Sequence, residues 1–155
     1  GNPGTEPLGE NVDLNYGDSE ELLSFVRDRN IDLTVVGPED PLVDGIVDVL
    51  EEQGHKAFGP SRYASQLEGS KAFAKRFMQD YSIPTAKYAT FSSDNFKEAR
   101  NYLQGEVAYP VVLKADGLAG GKGVFVCQSE EEALSNLDYI QADKKISNAA
   151  QKLVI

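Results

Sequence analysis

Apolar residues recur along the first sixty positions in two alternating rhythms. Leu22, Leu23, Phe25 and Val26 mark one face of a helix running to about Arg29, with Asp18 as its N-cap and Glu21 in capping-box spacing. Ile31 to Val36 is a short apolar run that predicts a buried strand. Leu42, Val43, Ile46, Val47 and Leu50 return to helical spacing, with Pro41 suited to the first helical position and Gly54 to the stop. Lys56 to Phe58, closed by Gly59-Pro60, predicts a second strand. Helices and strands in alternation predict an open parallel α/β sheet, where ligands sit beyond the carboxyl ends of strands. The Gly37-Pro38-Glu39 turn falls at such an end, although an ordinary strand-to-helix turn with a solvated glutamate has the same pattern.

The pattern changes after Ser61. Residues 61–81 are helical with a break at Gly69, and Ser70 is a plausible N-cap for a face of Phe73, Ala74, Phe77 and Met78. Lys71 then falls in the first helical turn, where a positive charge opposes the helix dipole by a few tenths of a kcal/mol. Ile83-Pro84-Thr85 ends the helix. A strand over 86–91, a helix from Ser93 or Asp94 to Gly105, strands at Val111–Lys114 and Val124–Cys127, a helix capped by Ser129 and Glu132, a polar loop over 143–151 and a strand at Lys152–Ile155 complete the chain. The β-α-β-β-α-β order is that of a small split βαβ sandwich.

Between the middle two strands lies Lys114-Ala115-Asp116-Gly117-Leu118-Ala119-Gly120-Gly121-Lys122-Gly123. Glycine loses the most conformational entropy on folding, so a loop this rich in it makes sense where backbone must approach a ligand, commonly a phosphate. A Walker A loop needs glycine at position 116 and Ser or Thr at 123, and the chain has Asp116 and Gly123. The dinucleotide fingerprint fails at Ala119, and a strand rather than a helix follows. A phosphate here would be held between strands by loop amides and lysines; a flexible hairpin with incidental lysines is the alternative on the loop alone.

Composition narrows the classes. The 155 residues are 41% hydrophobic, enough for a core, and no apolar run approaches a membrane span. The opening residues lack a signal-peptide pattern. A lone cysteine, Cys127, excludes an internal disulfide and suits a reducing cytosol, and with only His55 besides it a zinc site lacks soft ligands. The net charge of −10 argues against nucleic acid as a partner. It is uneven: residues 1–60 carry 14 acids and 3 bases, residues 61–155 carry 11 acids and 12 bases, so an anionic ligand would meet the second portion.

Five stretches in one order then resemble the glycinamide ribonucleotide synthetase family of ATP-grasp ligases: Gly1-Asn2-Pro3-Gly4-Thr5, Val36-Gly37-Pro38-Glu39 with Pro41-Leu42, Leu67-Glu68-Gly69-Ser70-Lys71 with Phe73, Ile83-Pro84-Thr85, and Lys114 to Ala119 with Gly121-Lys122-Gly123-Val124. Gly120 departs from the family's usual alanine. The resemblance implies an α/β fold: residues 1–60 a partial parallel α/β (pre-ATP-grasp, Rossmann-like) substrate lobe, 61–85 a helical linker, and 86–155 the small α+β ATP-grasp lid lobe. The chain then reads as part of a longer enzyme, inactive alone. The resemblance also implies that Lys71, Lys114 and the loop residues Asp116, Gly117, Gly120, Gly121, Lys122 and Gly123 meet ATP, and that Asn2, Pro3, Gly4, Thr5, Gly37, Pro38 and Glu39 face 5-phosphoribosylamine. It implies joining of glycine to that amine through glycyl phosphate in the cytoplasm, with small molecules as partners and no membrane or nucleic acid. Magnesium is implied with ligands outside this chain, and no catalytic or metal residue is assigned within it. Another ATP-grasp ligase or carboxylase, or a non-catalytic module of the same fold, are the alternatives.

Overall fold

In the computed structural model, which describes residues 4–105, 107–117, 123–143 and 152–155, the chain divides into two units, residues 1–65 and 66–155. In the first, the Asp18 carboxylate accepts the amides of Glu20 and Glu21 at 3.0 and 3.2 Å and starts α1 (Ser19–Asp28) as expected. Strands β1 (Thr34–Val35) and β2 (Ala57–Phe58) pair in parallel, Thr34 with Ala57 and Val35 with Phe58. Each is shorter than its apolar run, because only two residue pairs are in register. The helix expected as one piece is two, α2 (Glu39–Asp44) and α3 (Ile46–Glu52). Gly45 breaks it at φ +91°, a left-handed conformation that costs other residues energy. Because α2 already begins at Glu39, Pro41 occupies its third position rather than its first.

Leu22 and Val26 of α1 pack with Ile46, Val47 and Leu50 of α3 to form this unit's core. Gly59 fits tightly against it: a Cβ there would lie 2.8 Å from Leu42 Cδ2 and 3.0 Å from Val47 Cγ2. Thr34 Oγ1 is, among the described residues, the buried side-chain oxygen without a hydrogen-bond partner. Val35 and Phe58, paired on one sheet face, are 64% and 69% exposed.

The helix α4 (Arg62–Gly69) leads into the second unit, followed by α5 (Lys71–Asp80). Strand β3 (Thr90–Ser92), a 3-10 turn at Ser93–Asn95, α6 (Phe96–Gly105), β4 (Val111–Ala115), β5 (Val124–Cys127), α7 (Glu130–Ala142) and β6 (Lys152–Val154) follow. The sheet runs β3-β6-β4-β5 with every neighbour antiparallel. Each helical crossover, β3-α6-β4 and β5-α7-β6, therefore joins two parallel strands with another strand between them, the split βαβ arrangement. Leu113, Ala115, Cys127 and Leu153 turn inward onto Ala99, Leu103, Leu137 and Ile140 of the two helices, all almost wholly buried. Strand β3 starts at Thr90 rather than Ala86; before it the Thr85 hydroxyl and the Ala86 carbonyl accept from Lys75 of α5, and Ala89 exchanges backbone hydrogen bonds with Ile155. Most of the polar loop expected over 143–151 lies outside the described residues.

The amino end of α5 is closed from two sides. Ser70 Oγ accepts the Phe73 amide at 3.1 Å and donates to the Asp116 carboxylate at 3.0 Å. Asp116 Oδ1 accepts the Ala72 amide at 2.7 Å, its carbonyl receives the Lys71 amide at 3.5 Å, and the Ser70 amide donates to Gln66. All four amides that a helix leaves without intrahelical partners are thus accounted for. Asp116 is itself held by its own amide, which donates to the Lys152 carbonyl of β6 at 3.0 Å.

Thermal melts followed by circular dichroism check three consequences. Gly59→Ala, which drives a methyl into Leu42 and Val47, is expected to cost about 1–3 kcal/mol. Thr34→Val removes an unsatisfied buried hydroxyl at similar volume and is expected to leave stability unchanged or raise it by up to about 1 kcal/mol. Asp116→Ala is expected to cost about 1–2 kcal/mol, whereas Asp116→Asn, which can still accept the Ala72 amide, costs less.

Candidate functional site

The alternation of β4 sorts its side chains between two faces. Leu113 and Ala115 point to the helices, so Val112 and Lys114 point to the opposite face. Lys114 is paired with Val124 of β5 and Val154 of β6, and Val112 with Val126, which puts all of these on that face together. Val124 and Val126 are about half exposed, Val154 is buried, and the amine-bearing Lys114 sits among them. A cavity of about 460 Å³ opens here, with Lys75, Tyr88, Val112, Lys114, Val154 and Ile155 in its wall.

Three lysines converge on this region. The Lys71 amine donates to the carbonyls of Gly117 at 3.2 Å and Asp116 at 3.4 Å, which answers the expected conflict with the helix dipole: the charge is drawn onto strand-end carbonyls. Burial pushes the Lys71 amine below its ordinary pKa, Asp116 pushes it back up, and the Lys114 charge lowers it again. Lys75, one helical turn on, donates to Thr85 Oγ1 at 2.7 Å and the Ala86 carbonyl at 3.1 Å. Burial lowers its pKa too, and the Lys114 charge adds to the effect. An apolar platform edged by cations is suited to a ligand with a flat apolar part and an anionic end.

Of the residues singled out in the sequence, the fold gathers Lys71, Lys114, Asp116 and Gly117 at the end of β4. Gly123 closes the base of the loop, its carbonyl accepting the Ala115 amide at 2.8 Å. Asp116 differs in kind from the others, because its carboxylate is spent on the Ser70 hydroxyl and the Ala72 amide rather than turned to the cavity. In the first unit, Thr5 caps a 3-10 turn at Glu6–Leu8 and its hydroxyl donates to Asn11 Oδ1 at 2.7 Å. Gly37 follows β1, Pro38 is the N-cap of α2, and Glu39 lies exposed in its first turn. Asn2, Pro3, Gly120, Gly121 and Lys122 lie outside the described residues. The sequence reading passed over Lys75; its position four residues after Lys71, on the same helix face, is the signal that could have found it.

Among the described residues no group of three or more His, Cys, Asp or Glu side chains could hold a metal ion. With Asp116 committed to the helix, these residues do not fit a magnesium site. No helix among them is long and apolar enough to cross a membrane.

Comparison with known proteins accounts for both units. The N domain model of phosphoribosylglycinamide synthetase matches residues 1–68, and the ATP-grasp (A) domain model of the same enzyme matches residues 69–155. The phosphoribosylamine–glycine ligase of Rhodopirellula baltica is 46% identical over 160 residues, covering all of this chain and 36% of that protein. The crystal structure of the Thermotoga maritima phosphoribosylamine–glycine ligase superposes with a TM-score of 0.72 at 29% identity, over 99% of this chain and 35% of its own. The biotin carboxylase domain of Hydrogenobacter thermophilus 2-oxoglutarate carboxylase, solved with MgADP, ADP and bicarbonate, gives 0.69 at 26% identity over 88% of this chain and 30% of that one. The chain spans about a third of the length of the curated relatives it matches, 36% for the first of them. Both family models fit in sequence order and together span the whole chain, so it belongs to the phosphoribosylglycinamide synthetase family, with sequence of its N domain followed by its ATP-grasp domain.

Proposed function

We propose that this chain is part of an ATP-dependent ligase that joins glycine to 5-phosphoribosylamine, and that its second unit supplies one side of the ATP site. The observation that carries this reading is Lys114 on the sheet face away from the helices, in the wall of a cavity that it shares with Lys75, with Lys71 one helical turn before Lys75 on α5. The names of its relatives support the rest.

In the reaction a glycine carboxylate oxygen attacks the γ-phosphorus of ATP, the bond to the ADP oxygen breaks, and glycyl phosphate forms. The amine of 5-phosphoribosylamine then attacks the glycyl carbonyl, a nitrogen–carbon bond replaces the carbon–oxygen bond, and phosphate leaves as the amine loses a proton. Such steps need charge neutralisation and positioning more than a protein nucleophile. Lys114 and Lys71 would bind the nucleotide phosphates, and the half-exposed valines of β5 would shield the region from water. Loop residues 116–123 would lie over the phosphates, with Asp116 and Gly123 anchoring its two ends. The Gly4-Thr5 and Gly37-Pro38-Glu39 turns would serve the phosphoribosylamine side. Magnesium, which the family reaction implies, would be held by residues other than those described. A cytoplasmic setting agrees with the single buried thiol, Cys127.

The complete gene product that carries this chain is expected to release phosphate from ATP only when both glycine and 5-phosphoribosylamine are present; phosphate release supported by bicarbonate in their place would overturn the assignment. Lys114→Ala is expected to weaken ATP binding about tenfold to a hundredfold, as for loss of a charged hydrogen bond, and unchanged binding would remove Lys114 from the site. Phosphate binding should raise the pKa of the Lys71 amine, which burial holds low in the free protein. ATP affinity is therefore expected to be full below the free-protein pKa of Lys71 and to fall as pH rises through it, earlier than an unshifted lysine would allow; titrations at successive pH values, with Lys71→Arg showing a flatter profile, check this.

A further inference from the structure

Lys75 is a cation of the cluster held by neutral acceptors alone among the described residues. Its two hydrogen-bond acceptors, Thr85 Oγ1 and the Ala86 carbonyl, are neutral, and they account for two of the three N–H donors of the ammonium. Lys71, by contrast, feels the charges of Asp116 and Glu68. Among the described residues no carboxylate forms an ion pair with Lys75; the influences on its charge are burial and the neighbouring Lys114, and both oppose it. The amine is nevertheless held in place. It lies 5.5 Å from the centroid of the Tyr88 ring, and Tyr88 is fixed by its hydroxyl, which donates to Gln79 Oε1 at 2.7 Å one turn further along α5. Lys75 and Lys114 share the wall of the 460 Å³ cavity. Two neighbouring part-buried cations without an acid between them are unfavourable until an anion bridges them, and a preset amine binds that anion with little further ordering.

We propose that Lys75 is a third phosphate-binding cation of the nucleotide site, acting beside Lys114 on the outer phosphates and held ready by Thr85, Ala86 and Tyr88. This rests on the ATP reading given above. It makes the Ile83-Pro84-Thr85 turn part of the binding apparatus, since that turn supplies the acceptor that aims the amine.

Equilibrium titration of the complete gene product with ATP and with AMP tests it. Lys75→Met is expected to weaken ATP binding about fivefold to tenfold while AMP changes less than about twofold, the pattern of a lost contact to the outer phosphates. Lys75→Arg, which keeps the charge, is expected to return ATP affinity to within about threefold of wild type, and Thr85→Val, which keeps the charge but loses one anchor, to alter it less than Lys75→Met does. Unchanged ATP affinity in Lys75→Met, an equal loss for ATP and AMP, or a loss in Thr85→Val as large as in Lys75→Met would each overturn the proposal, the last two by showing a purely structural role. A wild-type protein that binds no ATP would overturn the nucleotide reading itself, and this proposal with it.

Discussion

The Asp116 carboxylate ties the amino end of α5 to the end of β4, and the arrangement of the lysines depends on that tie. The bond to Ser70 spans 46 positions of sequence, so it forms only when the sheet and the helix are both in place. It sets where α5 begins, and hence where Lys71 and Lys75 project one turn apart. The same residue binds β6 through its amide and receives Lys71 on its carbonyl. Through its side chain and its backbone together, this one residue joins a helix and two strands at the start of a loop. Its acidity serves the helix first, through the favourable placing of negative charge at a helix start.

This division of labour has an electrostatic meaning. A carboxylate pointed into the cavity would neutralise the lysines and compete with any anionic ligand. Turned instead to the Ala72 amide and the Ser70 hydroxyl, it leaves the wall shared by Lys114 and Lys75 free of its negative charge. Burial first, and the neighbouring Lys114 charge after it, hold the amines of Lys71 and Lys75 below their ordinary pKa. Binding sites commonly retain such unfavourable local electrostatics for function.

Much of this was legible along the chain, for identifiable reasons. Ser70, Asp18 and Ser129 were readable as caps because capping is local and depends on residues a few positions apart. The strand and helix order of the second unit followed from periodicity, and the strands Val111–Ala115 and Val124–Cys127 lie where their apolar runs are. The break at Gly45 was missed because the apolar spacing continues unbroken across it, and only the backbone conformation reveals the turn. The capping role of Asp116 was invisible for the opposite reason: its partners are far away in sequence, and its loop context pointed to a ligand. Lys75 was overlooked because a lysine within a helix reads as a solvated surface residue until the elements around it are known. Motif resemblance adds what periodicity does not offer, a proposal for which glycines and lysines belong to one site.

The uncovered pair Val35 and Phe58 has a consequence for how the chain behaves in solution. A parallel sheet ordinarily has both faces covered, and here one side presents apolar carbon to water. The surplus of acids in the same part of the chain supplies mutual repulsion between molecules. That repulsion is screened within about 8 Å at physiological ionic strength, while attraction between apolar faces is not. Colloidal stability of the isolated chain is therefore a balance that salt tips toward self-association, the reverse of the salting-in that a highly charged protein would otherwise show.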